Sequence, residues 1–527
     1  MVKIMSQIEI SKKTIIINSL SSALSLLINL TVLVWLQQYL LKHISAEEYS
    51  LIPIVLSVMA FAPLLTSVLT GGMGRYMTIA YAKGDNMEVT RICSTMFPIL
   101  FFAGSILLIL GWFVAWNVDM FLVVSSEYRT DAKIMLALMV FVTAIRLPLA
   151  AFSSGFMLKQ KLWWQDLIDV GCQLLRITIL FVLLFEVSTR ALWVTVALAI
   201  SELVNLAIST PISIKLIPQQ RIQWSLFRKK LAKEITAFGS WWLVGSLADV
   251  LKKTMDPLIL NRFASAVDVT IFYVADIAPR LLTQILTPIT RPFIPILGAM
   301  VANNDHIKLR NTYTRTARYH SWVVLTIAVP AMVFSTETMH LYLHGKYDTA
   351  GGIMTMLLGV AIINALNALG SAVALSAGDM KGLSVRVVFI QTVNLILTFV
   401  FVGYLHQGAY GSAYATLFAA LFLETTIKWP FCWRVAHTPF RYWFKEVFVA
   451  AIFPAVPSAV FCVSISVIYS IDSWLKLVLV SGLSALIYVI MVMIFGLKQQ
   501  DRIDLGRLAQ KAPARLKPVL LALAKGN

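Results

Sequence analysis

Long apolar runs alternate along the chain with short breaks rich in Lys, Arg, Asp, Gly and Pro. A helix needs roughly 20 mostly apolar residues to cross a bilayer. On that measure the pattern predicts fourteen spans, near 14–37, 49–70, 92–116, 134–155, 167–186, 191–214, 237–260, 269–297, 320–336, 351–377, 383–405, 409–430, 446–470 and 473–496. The first run is too long for a signal-peptide core and lacks a small-residue cleavage site, so it reads as a retained span.

Several of these runs carry polar residues at helical spacing, which places them on one face. The first has Asn18, Ser22, Ser25 and Asn29; the seventh has Ser246, Asp249, Lys253 and Asp256. The eighth is the most polar, with Asp276, Arg280, Gln284 and Arg291. The fifth has Asp166, Asp169, Gln173 and Arg176, the sixth Glu202 and Asn205, the tenth Asn364 and Asn367, and the eleventh Gln391 and Asn394.

Composition agrees with a membrane chain. Of 527 residues, 59% are hydrophobic and 13% charged, against about 45–50% and about 25% in soluble domains. Lys and Arg number 44 against 26 Asp and Glu, for a net charge of +18. That excess lies in short loops, so it reads as topology control and not as a nucleic-acid surface. With fourteen spans, 31 basic residues fall on the side of both termini and nine on the other, which makes the termini cytoplasmic. The four cysteines, Cys93, Cys172, Cys432 and Cys462, lack metal-type spacing and lie in or beside apolar runs. Gly71-Gly72-Met73-Gly74 follows a membrane run instead of a strand, and there is no Walker A pattern. No cofactor, metal or catalytic constellation is expected.

A shift of 224 residues lays Ser22 on Ser246, Ser25 on Asp249, Asn29 on Lys253 and Tyr49 on Tyr273, while a shift of 220 lays Lys161 on Lys381. These matches predict two six-helix bundles in the same orientation, a parallel repeat. The bounds are 1–216 and 237–435, joined by a basic linker at 217–236. Two accessory helices at 436–497 and a basic tail at 498–527 follow. The fold class is thus an all-α polytopic membrane protein of about fourteen spans.

Four arginines fall inside predicted spans: Arg146, Arg176, Arg280 and Arg291. Facing lipid, each would cost about 2.5–3.5 kcal/mol. They must pair with acids, reach the interface, or line water. A wet cavity between the bundles satisfies all the polar faces at once. The bland alternatives are local: Asp276 and Arg280, four apart, can neutralise each other, Arg291 can snorkel, and Ser/Asn stripes can bond helix to helix.

Ile44-Ser-Ala-Glu-Glu-Tyr49, Asp256-Pro-Leu-Ile-Leu260, Tyr273-Val-Ala-Asp-Ile-Ala278, Pro292-Phe-Ile-Pro295, Leu343-His-Gly-Lys-Tyr347, Leu375-Ser-Ala-Gly-Asp-Met-Lys381 and Gly408-Ala-Tyr-Gly-Ser-Ala413 occur in this order at the ends of spans. In that arrangement the chain resembles the polysaccharide flippases of the multidrug/oligosaccharidyl-lipid/polysaccharide exporter superfamily over essentially its whole length. Ser50 stands where a Gly commonly follows the aromatic residue, and His344 where an aromatic is usual.

The resemblance implies movement of an undecaprenyl-diphosphate-linked oligosaccharide to the outer leaflet of the bacterial inner membrane. It also implies polymerase and glycosyltransferase partners. Arg146, Arg176, Arg280 and Arg291 are then expected to bind the diphosphate, and Asn18, Asn29, Asn364 and Asn394 the sugar hydroxyls. Asp249, Asp256, Asp276 and Glu202 are candidates for ion coupling. Two alternatives stay open at this point: a cation-coupled multidrug antiporter of the same fold, and a membrane polysaccharide polymerase or ligase.

Overall fold

The protein is described by a computed structural model covering residues 35–59, 73–159, 161–290, 297, 300–301, 304–377, 379–498 and 501–502. The expected polar residues Asn18, Asn29 and Arg291 lie outside the described residues, and of Asp249 only the backbone is described.

Among the described residues the structure is all helical. Its main helices are α1 (Ala46–Met59), α2 (Met73–Ala82), α3 (Asn86–Trp116), α4 (Arg129–Leu149), α5 (Leu162–Val182), α6 (Leu192–Leu216), α7 (Lys229–Phe263) and α8 (Ala266–Ala275). There follow α9 (Ile277–Thr290), α10 (His306–Val333), α11 (Ser335–Leu343), α12 (Ala350–Leu366), α13 (Met380–Thr398), α14 (Gly408–Phe418), α15 (Ala455–Ile468) and α16 (Trp474–Met491). Among the described residues eight helices are long and apolar enough to cross a membrane, or nine if the α10–α11 pair, bent by 74°, is one span. The other expected spans coincide with helices that are interrupted, more polar, or partly outside the described residues. The span expected at 269–297 is interrupted at Asp276, between α8 and α9. Within 217–236, residues 229–236 are the first turns of α7, and 217–228 is stitched to α3. Thr90 Oγ1 donates to the Gln219 carbonyl (2.9 Å), and the Gln223 and Arg228 N–H groups donate to Ser94 Oγ (2.8 Å) and Thr95 Oγ1 (3.2 Å).

The chain divides into two compact units, residues 1–273 with 395–412, and 274–394 with 413–527. In the first, Met77, Ile92, Met96, Leu100 and Leu147 form a core. In the second, Tyr313, Leu325, Leu366, Trp443 and Tyr488 do so. Contacts among such side chains define the core of each unit.

One capping device occurs twice. At the start of α1 the Glu48 N–H donates to Ser45 Oγ, and at the start of α8 the Asp268 N–H donates to Ser265 Oγ, both at 3.1 Å. These are the Ser and acid of a capping box, which satisfies orphan N–H groups of a helix start. Each acid also reaches a second helix start: Glu48 Oε1 accepts from the Ala191 N–H (2.8 Å) and Asp268 Oδ1 from the Ala409 N–H (2.9 Å). A second device repeats before α3 and α10, where a left-handed residue, Gly84 (φ +72°) or Asn304 (φ +52°), is followed by an Asp N-cap. Asp85 accepts from the Glu88 N–H (2.9 Å) and Asp305 from the Lys308 N–H (3.1 Å).

Ser45 and Ser265, Glu48 and Asp268, and Asp85 and Asp305 are all 220 residues apart. The register of this part of the chain is therefore 220, and Tyr49 corresponds to Val269. The shift of 224 differs from it by four residues, about one helical turn.

Candidate functional site

The first unit gathers charges on three neighbouring helices, α4, α5 and α6. Arg146 ends α4, where Pro148 follows it. Its Nη1 lies 3.4 Å from Glu202 Oε2 on α6, and the two side chains are 60% and 36% exposed. One turn further along α6, Asn205 Nδ2 donates to Asp169 Oδ1 on α5 at 2.7 Å. Asp169 also feels Arg146 and Asp166, and Arg176 feels Glu202. The spacing 166, 169, 173, 176 on α5 and 202, 205 on α6 is what brings these groups to one side of each helix.

This arrangement changes the sequence-based picture in one respect. Arg146 and Arg176 have few acids nearby along the chain, yet in space both interact with Glu202. Two guanidinium groups here face three carboxylates, Asp166, Asp169 and Glu202, so the group is not uniformly cationic. An Arg–carboxylate contact of 3.4 Å is long for a charge-assisted bond, which is tightest at about 2.7–2.9 Å. Both side chains remain in part accessible at this contact.

In the second unit, Arg280 Nη2 donates to Asp276 Oδ2 at 2.8 Å, and Nε lies 3.3 Å from the same oxygen. Asp276 sits at the break that starts α9, where a carboxylate also meets the positive end of the helix. The side chains are about one-third exposed, at 30% and 36%. The local ion pair anticipated from their spacing is therefore present.

The remaining expected residues are scattered. Asp256 is buried in the first unit, where Ser412 Oγ (2.5 Å) and Thr398 Oγ1 (3.4 Å) donate to its Oδ1. Asn394 is buried, and Asn364 is half-buried on α12. Among the described residues no group of His, Cys, Asp and Glu could hold a metal ion. The four cysteines are free and buried.

Other polar residues with structural work were not singled out from sequence. Asn261 clamps both the N–H and the carbonyl of Val123, each at 2.9 Å. Arg318 is buried in the second unit between Asp501 (2.6 Å) and Glu446 (3.1 Å). Tyr319 Oη also donates to Asp501 (2.6 Å), and so does the Lys498 N–H (2.9 Å). The periodicity of α10 offers no signal for this, because the partners lie 128 and 183 residues away.

Comparison with known proteins places this geometry in context. A family model described as "Polysaccharide biosynthesis protein" matches residues 40–351. The uncharacterized membrane protein EpsK of Bacillus subtilis (strain 168) is 21% identical over 504 residues, covering 92% of this chain and 96% of EpsK. Among solved structures, the lipid II flippase MurJ in an inward closed conformation superposes with a TM-score of 0.68 at 15% identity, over 91% of this chain and 98% of that one. An inward-facing multidrug resistance MATE transporter superposes with a TM-score of 0.66 at 12% identity, over 80% and 98%. The fold is thus of the MurJ and MATE kind, and with its apolar helices the chain is a multi-pass inner-membrane protein. The family match spans more than half of the sequence, and the chain belongs to the polysaccharide biosynthesis protein family.

Proposed function

We propose that the protein flips a polyprenyl-diphosphate-linked oligosaccharide from the cytoplasmic to the outer leaflet by alternating access. The observation that carries this reading is the Arg146–Glu202 contact beside Arg176, on membrane helices of a polysaccharide biosynthesis family member. Guanidinium groups suit phosphate because two N–H donors engage two oxygens at once. A diphosphate competes with Glu202 for Arg146. A cation bound to Glu202 lowers the cost of that exchange. On this reading substrate and coupling ion share the Arg146–Glu202 pair.

The test is a null strain complemented with variants matched for membrane abundance. Arg146→Ala should leave lipid-linked oligosaccharide on the cytoplasmic face and abolish export. Wild-type export by Arg146→Ala would remove that residue from the reading.

The acid excess around Arg146 favours a second reading, cation-coupled efflux of small cations by the same fold. It predicts that the null strain becomes sensitive to cationic dyes while its lipid-linked oligosaccharide stays unchanged. A polymerase or ligase would be expected to need a large outer catalytic loop. Among the described residues, loops on that side are no longer than 117–128.

A further inference from the structure

The helices α3 and α4 approach so closely at Gly111 that a Cβ there would stand 2.6 Å from Val140 Cγ1. Beyond this point toward the 116–129 end, the contact gives way to a groove of about 450 Å³, within the size range of small-ligand clefts (~300–1,000 Å³). Trp112, Trp116, Ile134, Leu138 and Phe141 line it, and Lys133 supplies its charge. The Lys133 ammonium sits 5.5 Å from the centre of the Trp116 ring. Arg129, one turn earlier, is already neutralised by Asp119 at 2.8 Å. Among the described residues no carboxylate pairs with Lys133.

We propose that this groove binds an anionic glycerophospholipid of the outer leaflet, with one acyl chain along the aromatic wall and the phosphate on Lys133. Three features select that occupant. The wall is apolar and aromatic, which suits a hydrocarbon chain. The charge asymmetry of the loops puts this end of α3 and α4 at the outer surface, where Trp and Lys sit at headgroup depth. The one uncompensated cation matches a phosphodiester carrying one negative charge, and a diphosphate would leave charge unmatched.

The test uses purified full-length protein and native mass spectrometry, with phosphatidylglycerol and phosphatidylcholine of identical chains as competing probes. Wild type should retain phosphatidylglycerol over phosphatidylcholine by about fivefold, the effect of one basic residue at a headgroup. Lys133→Gln should keep bound lipid but lose that preference, Lys133→Arg should keep both, and Ala137→Trp should shed the lipid by filling the groove. Equal retention of the two lipids by wild type, or an unchanged preference in Lys133→Gln, overturns the proposal. Displacement of phosphatidylglycerol by an equimolar polyprenyl phosphate also overturns it, and reassigns the groove to the carrier lipid.

Discussion

Single side chains here do work far from their position in sequence. Arg318 is the strongest case, being 3% exposed beside Asp501 at 2%. Removing one partner of such a buried pair strands the other charge and costs about 3–5 kcal/mol. Arg318→Ala should therefore lower the thermal midpoint of the purified protein markedly, and Arg318→Lys, which keeps the charge, should lower it less. Gly408 stands at φ +54° against the Asp268 carboxylate. Alanine there costs about 1–2 kcal/mol from the left-handed backbone alone, and its Cβ pushes on Asp268. Gly408→Ala should unfold at lower temperature than the same change at Gly482, which has open space around it. Asp305, in a loop, is held below the ordinary aspartate value of 3.8, first by the Lys308 side chain and then by the Lys308 N–H. A depressed carboxyl stabilises the folded form above its ordinary value and loses that effect as pH falls through the depressed one. The protection factor of the Lys308 amide should accordingly fall as pH drops below the ordinary aspartate value, and Asp305→Asn should flatten that response.

At the scale of helices, the sequence announced most spans because bilayer thickness imposes their length and apolarity. Boundaries were less legible. α3 begins at Asn86 instead of near 92, since the Asp85 cap sets its start, and α7 begins at Lys229, before the apolar run. Helix faces were legible where winding is regular, as on α5 and α6, whose charges meet as their spacing requires. They were not legible where winding changes. Residues 183–187, 399–404, 419–428, 444–449 and 492–496 are π-helical, and each such turn rotates every later side chain relative to a 3.6-residue count. The pair of Glu424 and Lys428, at 3.4 Å, lies in the longest of these stretches with Glu424 buried. Deleting Thr426 should restore regular winding and turn one partner away. The expected result is a less stable protein by thermal unfolding, with helix content by circular dichroism unchanged.

For the whole molecule, the two compact units rest on different ties. In the second unit, Asp501 fastens the end of the α16 segment to α10, and Glu446 adds the start of the preceding helical segment. A chain ending after Arg502 keeps that clasp, and one ending after Lys498 lacks it. The shorter chain should unfold earlier and export less than the longer one, measured at equal abundance. The candidate site was half legible: the residue types and helices were readable, but the joining of Arg146 and Arg176 to Glu202 required three dimensions. The doubled carboxylate link has a consequence in time. Glu48 must wait 143 residues for the Ala191 amide, and Asp268 141 residues for that of Ala409. At roughly 5–20 residues added per second, each acid spends about 7–30 s without its final partner during synthesis. Slowing translation ahead of Ala191 should therefore raise the fraction of nascent chains caught by membrane proteases.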